Sequence, residues 1–385
     1  MRVALATIGK FHTFDLAKQL LRYDALAVVM SGYPRFKLKG TGIPDELLKT
    51  FPWVHAPLMR LPKYTPELIR QGIRWLDSET MDLFTRFNLP PCDIFHWLSG
   101  SHIHTARSAR NRGTILVVDR GSTHILHQNE VLRQEYDRLK IQYRGTDKAV
   151  IQRELAEYEI SDAITIPSQV ARSTFIAHGV PEGKLKLIPY GVDVTQFRPQ
   201  ERPNITQFDV LFVGGLGVRK GLSYLFDAFD SLEHPAKHLH LVGDETPDYE
   251  SVLRRYRGRR DITFHGHLPQ PELNKRMSRS SVMVLPSIEE GLALVQAQAM
   301  ASGCPVISTT ATGAEDLFTD GIEGYIVKPR DVEGLTVKLQ RLADTPGLAD
   351  SLGAAARIRV TRLGGWDSYG DQMMRFYRSL YTGVA

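Results

Sequence analysis

The chain has few of the features that would set it apart from ordinary folded proteins. Its two cysteines, Cys92 and Cys304, lie far apart in 385 residues. That excludes a disulfide scaffold, gives no zinc-ligand spacing, and makes a reducing cytosol the expected compartment. No stretch approaches the roughly 18 consecutive apolar residues of a membrane-spanning helix. The opening MRVALATIGKFH soon meets Gly9 and Lys10 and has no small-residue cleavage site, so it is expected to form a first buried strand rather than a signal peptide. Internal repeats and low-complexity segments are missing too. With 24% charged and 42% hydrophobic residues, disorder and a collagen-like fibre are also excluded.

Neither charge sign dominates the whole chain, but the distribution is uneven. Residues 1–193 carry 26 Lys+Arg against 20 Asp+Glu, and residues 194–385 carry 22 against 23. A basic first half favours an acidic ligand or an anionic membrane surface; a solvated face has the same composition. The run Arg254, Arg255, Arg257, Arg259 and Arg260 lacks interleaved aromatics and lies in the slightly acidic half. It reads as a solvated helix end, and no nucleic acid is expected as a partner.

What is present is rhythm. At about 150 residues per domain the length suggests two or three domains. Apolar runs of strand length alternate with amphipathic stretches of helix length, the pattern of parallel sheets covered by helices. Strands are predicted at Arg2–Thr7, Ala25–Met30, Asp93–Trp97, Thr114–Val118, Ala163–Ile166 and Lys186–Ile188. A polar, Pro-bearing linker, Arg198–Gln207, follows. Strands resume at Asp209–Val213, His238–Val242, Asp261–Phe264, Val282–Leu285, Pro305–Ser308 and Tyr325–Val327. Two doubly wound α/β domains are expected, over 1–193 and 194–365, with a ligand cleft at the C-terminal ends of their strands. Tyr33–Pro66 is too long for a simple connection, and loops of that length are often functional. In 366–385, Trp366, Tyr369, Met373, Phe376 and Leu380 form one apolar helical stripe that should pack on a neighbour.

Two stretches carry candidate chemistry. Phe212-Val213-Gly214-Gly215-Leu216-Gly217-Val218-Arg219-Lys220-Gly221 runs from a strand into a helix. Its glycines admit a ligand close to the backbone, the helix start offers free N–H groups, and Arg219 and Lys220 add positive charge; together these suit a diphosphate. The spacing matches neither a Walker loop nor the dinucleotide fingerprint, and a plain tight turn has the same composition. The second stretch runs from Pro286 to Val306 and contains Glu290, Gly291, Leu292, Ala293, Leu294 and Gln298. If Glu290 opens a helix, Gln298 lies about 80° round the axis and about 12 Å along it, so both could face hydroxyl-bearing rings of one ligand. A helix cap and a solvated amide are the plainer reading.

Gly214 through Lys220-Gly221, Glu290-Gly291-Leu292-Ala293-Leu294, Ala299-Met300-Ala301-x-Gly303-x-Pro305-Val306 and Gly313-Ala314-Glu315-Asp316 closely resemble the donor-binding half of bacterial family 4 glycosyltransferases. Ile188-Pro189-Tyr190-Gly191-Val192-Asp193 resembles their interdomain region. The resemblance implies the GT-B architecture: two Rossmann-like doubly wound parallel-sheet domains facing a central cleft, with a C-terminal helix crossing back to the first. It further implies a nucleoside-diphosphate sugar donor held mainly by the second domain, the acceptor on the first, retention of anomeric configuration, and no essential metal or other cofactor; the basic first half and the aromatic-bearing Tyr33–Pro66 loop point to a saccharide or lipid-linked acceptor. Carried over by position, Lys220 contacts the diphosphate, Glu290 the transferred sugar, Gln298 the ribose, and Gly9 approaches the diphosphate from the opposite domain. Gly214, Gly215, Arg219, Gly291, Leu292, Ala293 and Leu294 complete the donor set. Two departures stand out. Gln298 replaces the family's second glutamate, losing the charge-assisted part of a ribose bond, and Gly215 stands where many members have an arginine, a role that Arg219 could assume.

The first half has no unambiguous catalytic group. Arg120, with His124 four residues on, stands where members often have a histidine; both are expected on the cleft side after a strand, though a core-edge position fits His124 equally. His96, His102 and His104 read as loop histidines rather than a metal site. The expectation is a glycosyltransferase of polysaccharide or glycolipid synthesis, cytoplasmic and able to touch the inner membrane face through its basic half. A sugar-nucleotide epimerase of the same fold and a non-catalytic donor-binding scaffold are the alternatives.

Overall fold

The computed structural model describes residues 1–62, 65–143, 145–201 and 207–383. Seven parallel strands form the first sheet: β1 (Val3–Thr7), β2 (Leu26–Ser31), β3 (Leu48–Thr50), β4 (Ile94–Leu98), β5 (Ile115–Asp119), β6 (Ala163–Ile166) and β7 (Leu185–Leu187), in spatial order β3-β2-β1-β4-β5-β6-β7. Six more form the second, also parallel: β8 (Phe208–Val213), β9 (Lys237–Val242), β10 (Ile262–Gly266), β11 (Val282–Leu285), β12 (Val306–Thr309) and β13 (Gly324–Val327), in order β10-β9-β8-β11-β12-β13. Each sheet reverses its winding once, between β1 and β4 and between β8 and β11, and crevices for ligands open where the order reverses. Two parallel α/β sheets are the fold class expected. Residues 202–206 of the predicted linker lie outside the described residues.

Helices cover both faces of each sheet, so the central strands β1 and β8 are buried along their whole length. That explains their near-continuous apolar sequences. The long Tyr33–Pro66 stretch contains β3, a strand absent from the predicted set, and the short helices Arg35–Leu38 and His55–Met59.

The final helix, Gly365–Thr382, buries Tyr369, Met373 and Phe376 of the predicted stripe, and Tyr377 beside them. It packs on the first helix, Thr13–Arg22, where Gln19 donates to Asp367 (3.1 Å) and Arg22 to Asp367 (2.9 Å) and Asp371 (3.1 Å). Deeper in, the Tyr377 hydroxyl and His96 Nδ1 share a 2.6 Å hydrogen bond. To return to the first domain the chain passes Gly191, where an added Cβ would fall 2.3 Å from the Trp366 nitrogen. One apolar core thus runs through both domains, with Val3, Leu5 and Val117 from the first sheet and Leu211, Met283 and Val306 from the second. No helix among the described residues is long and apolar enough to cross a membrane.

Candidate active site

Four loops meet between the domains, each following the C-terminal end of a strand: Ile8–His12 after β1, Arg120–His124 after β5, Gly214–Gly221 after β8 and Pro286–Ala293 after β11. Glycines allow the meeting. Gly221 holds φ at +66°, and a Cβ there would lie 2.0 Å from the Pro286 carbonyl oxygen. The turn Val218–Lys220 therefore lies against the second motif, where the Ile288 N–H donates to the Arg219 carbonyl (2.9 Å). Across the domain junction, a Cβ on Gly291 would sit 2.3 Å from the Gly121 carbonyl oxygen.

This packing unites the two sequence motifs. Lys220 is ion-paired with Glu290, and Arg219 Nη2 lies 3.5 Å from the same carboxylate. Glu290 itself is only 7% exposed. It does not open a helix, which is a correction: its N–H donates to the Ala311 carbonyl (2.9 Å), and the helix begins at Leu294. The backbone has to stay irregular there so that Gly291 can pass Gly121.

Beside Glu290 lies a residue the sequence did not single out. Glu289 is 1% exposed and receives Arg219 Nε (2.8 Å), the Ser122 hydroxyl (2.7 Å), the Thr123 hydroxyl (2.6 Å) and Gln128 Nε2 (2.8 Å). Burial alone would raise its pKa. Arg219 and the three neutral donors outweigh burial and pull it down to about 2. Glu289 thus bridges Arg219 of the second domain to three residues of the first. Burial opposes the Arg219 charge in turn, but Glu290 and Glu289 more than offset it and raise its pKa.

The remaining predicted residues divide into two groups. Gln298 and Leu294 line a cavity of about 1050 Å³ between the domains, together with Lys10, His12, Thr195 and Trp366. Gly9 is buried just before them. Gly214, with φ of +152°, packs against the Lys220 side chain, while Gly215 is exposed to open space. Leu292 and Ala293 are buried in core clusters, so only their backbone could meet a ligand. Glu290 is not among the residues lining this cavity.

The first-domain candidates require correction. His124 does not face the cleft: it is 2% exposed, stacks on His178 at 4.4 Å and packs edge-on to Phe175 at 5.0 Å. Its Nδ1 accepts the Leu126 N–H and so caps the helix Ile125–Leu139. Burial first, then the neighbouring His178 and Arg120, lower its pKa to about 3, so it is neutral. Arg120 is paired with Glu154 (2.8 Å) and donates to Gln128 (2.9 Å); it supports the Glu289 network from behind. Among the described residues, the histidine that does line the cavity is His12, hydrogen-bonded to buried Asp119, its ring tilted against that of Tyr190 at 4.2 Å. Burial would raise the Asp119 carboxyl, but His12 and a hydrogen bond from the Thr165 hydroxyl hold it below the usual carboxylate range. Among the described residues no group of three or more His, Cys, Asp or Glu is placed to hold a metal ion.

Residues 207–345, most of the second domain, match the family described as Glycosyl transferases group 1. The chain is 29% identical over 205 residues to a glycogen synthase of Mycobacterium tuberculosis, covering 52% of this chain and 50% of the relative. It is 30% identical over 214 residues to a sulfoquinovosyl transferase of Arabidopsis thaliana, covering 52% and 41%. This chain thus spans about half the length of the curated relatives it matches. Similarity of fold extends further. A sucrose-phosphate synthase from Thermosynechococcus elongatus superposes with a TM-score of 0.75 at 21% identity over 100% of both chains. The Anabaena protein HepE, solved with UDP and glucose, gives 0.72 at 16% identity over 98% of this chain and 100% of that one. The architecture is therefore GT-B, and residues 207–345 are similar to the group 1 glycosyl transferases.

Proposed function

We propose that the protein transfers a sugar from a nucleoside diphosphate to an acceptor hydroxyl with retention of anomeric configuration. The observation that carries this reading is the Lys220–Glu290 ion pair, held against Arg219 at the domain junction by Gly221 and Gly291. Without donor, the ammonium and the carboxylate satisfy each other. With donor, the diphosphate takes the ammonium as partner, and Glu290 accepts hydrogen bonds from sugar hydroxyls. Gln298, in the adjoining cavity, would bond the ribose, and its neutrality makes that contact weaker than a carboxylate's.

In the transfer, the bond from the anomeric carbon to the phosphate oxygen breaks and its electron pair stays on the diphosphate. The acceptor oxygen bonds to the same face of the carbon, and its proton passes to the departing phosphate. Lys220, Arg219 and the N-terminus of the helix Leu222–Ser231 stabilise the charge that develops on the leaving group, in a site organised in advance. These groups supply that charge without an essential metal. His12, backed by Asp119, faces the cavity from the first domain and is the group we assign to hydrogen-bond the sugar or the diphosphate there. Neighbours of the fold solved with UDP and glucose support a nucleotide-sugar donor. The acceptor is a saccharide, free or lipid-linked, and the enzyme works in the cytoplasm.

The test is acceptor-dependent release of nucleoside diphosphate from a panel of nucleotide sugars, with the anomeric configuration of donor and product compared by NMR. Release with retention is expected. Donor binding without transfer to any of a broad panel of acceptors would overturn the reading.

A further inference from the structure

The loop after β2 and the helix behind it form a surface that the donor site does not use. A groove of about 590 Å³ opens there. Its apolar wall includes Trp53, 76% exposed, with Phe36 and Met59, each 62% exposed. Arg35, Lys37 and Arg60 also line it, and among the described residues no carboxylate does, although Arg35 lies 3.6 Å from Asp45. The helix Glu67–Asn88 packs on His55–Met59, tied by a 2.8 Å hydrogen bond between buried His55 and Asp77. On its outer side Ile69, Leu76, Leu83 and Phe87 are all exposed, Phe87 by 76%. Their spacing of seven, seven and four residues places them in one stripe. Soluble surfaces rarely leave large apolar side chains gathered in this way, and such patches mark interaction sites.

We propose that this face docks on an anionic lipid bilayer. The occupant follows from charge. Cations with no lining carboxylate, set among aromatic side chains, suit a layer of acidic headgroups over hydrocarbon, and the groove belongs to the half of the chain that carries 26 basic against 20 acidic residues. Attachment is peripheral. The placement also bears on catalysis, since the groove adjoins the cleft: a Cβ on Gly32 would sit 2.7 Å from the Ile8 carbonyl oxygen and 3.3 Å from His55 Cβ, so this loop abuts the one that brings His12 to the cavity. On the glycosyl-transfer reading, an acceptor held in the bilayer surface would meet the donor there; docking itself does not depend on that reading.

Cosedimentation with vesicles tests the proposal, comparing phosphatidylcholine alone with phosphatidylcholine plus phosphatidylglycerol. The protein is expected to bind only the anionic vesicles at low salt, with the emission of Trp53, isolated by difference from W53F, shifting to the blue. The K37Q/R60Q double variant should bind roughly twenty-five-fold more weakly, at about a five-fold loss for each cation, and F36S/W53S should lose the fluorescence shift and most of the binding. Nucleotide binding should be unchanged in both, which keeps failure here separate from failure of the donor site. Absence of binding at low salt, wild-type binding by both variants, or an apolar face consumed instead by self-association that F36S/W53S abolishes would overturn it.

Discussion

Glu289 shows how a single carboxylate couples the two domains. Removing it leaves the Ser122 and Thr123 hydroxyls and Gln128 Nε2 without this acceptor, whereas Arg219, with its side chain 36% exposed, keeps Glu290 at 3.5 Å; losing an acceptor for buried donors costs about 1–3 kcal/mol. Glu289→Ala should therefore lower Tm by several degrees in calorimetry, and Glu289→Gln, which keeps part of the network, should lower it less. Lys220→Ala is expected to behave differently. Its ammonium is partly exposed, so the fold should survive while turnover falls about 10²- to 10³-fold, the range for losing one group that stabilises developing charge. Wild-type rates at both saturating and limiting donor would contradict the role. Lys220 and Glu290 were legible because each sits in a local pattern of glycines at a strand end. His12 and Glu289 were not, because what defines them lies far away in the chain: Asp119, 107 residues from His12, and Ser122, 167 residues from Glu289.

Among elements, the strands were the most legible part, because strands buried on both faces must be apolar throughout. β3 was missed because three residues, Leu48–Thr50, among prolines and glycines carry no periodicity. The helix after β11 was placed too early, since Glu-Glu-Gly reads locally as a helix start, whereas Gly291 is required for its contact with Gly121. That contact makes a prediction at this scale. Gly291→Ala places a methyl 2.3 Å from a backbone oxygen of the opposite domain, and backbone cannot give way as a flexible side chain can. The variant should keep its helical circular dichroism, show a larger radius of gyration in X-ray scattering and lose transfer activity. An unchanged radius with full activity would show that the junction tolerates the methyl.

Across the whole molecule, acid should be the condition that undoes the fold. His96, His102 and His265 are held at about 4 and His124 at about 3, in each case chiefly by burial, against an ordinary value of 6.5. Between those values the unfolded chain binds protons that the folded chain refuses, so their contribution is present above pH 6.5 and is lost as pH falls toward 4. Glu157, pushed up to about 8 by burial, acts in the opposite direction, but it is one group against four. Tm measured from pH 7 down to 4 should fall throughout, and a flat profile would contradict the buried neutral histidines. His96 belongs to both scales, because its partner Tyr377 lies on the helix that returns from the second domain. The central claim is that Lys220 and Glu290 form a diphosphate-sugar site at the meeting of the domains. Calorimetric titration with UDP, GDP and ADP and with the matching monophosphates tests it most directly. At least one diphosphate should bind more tightly than its monophosphate, and Lys220→Ala should abolish this preference; equal affinity for the two in the wild type, or a preference that survives in the variant, would contradict the assignment.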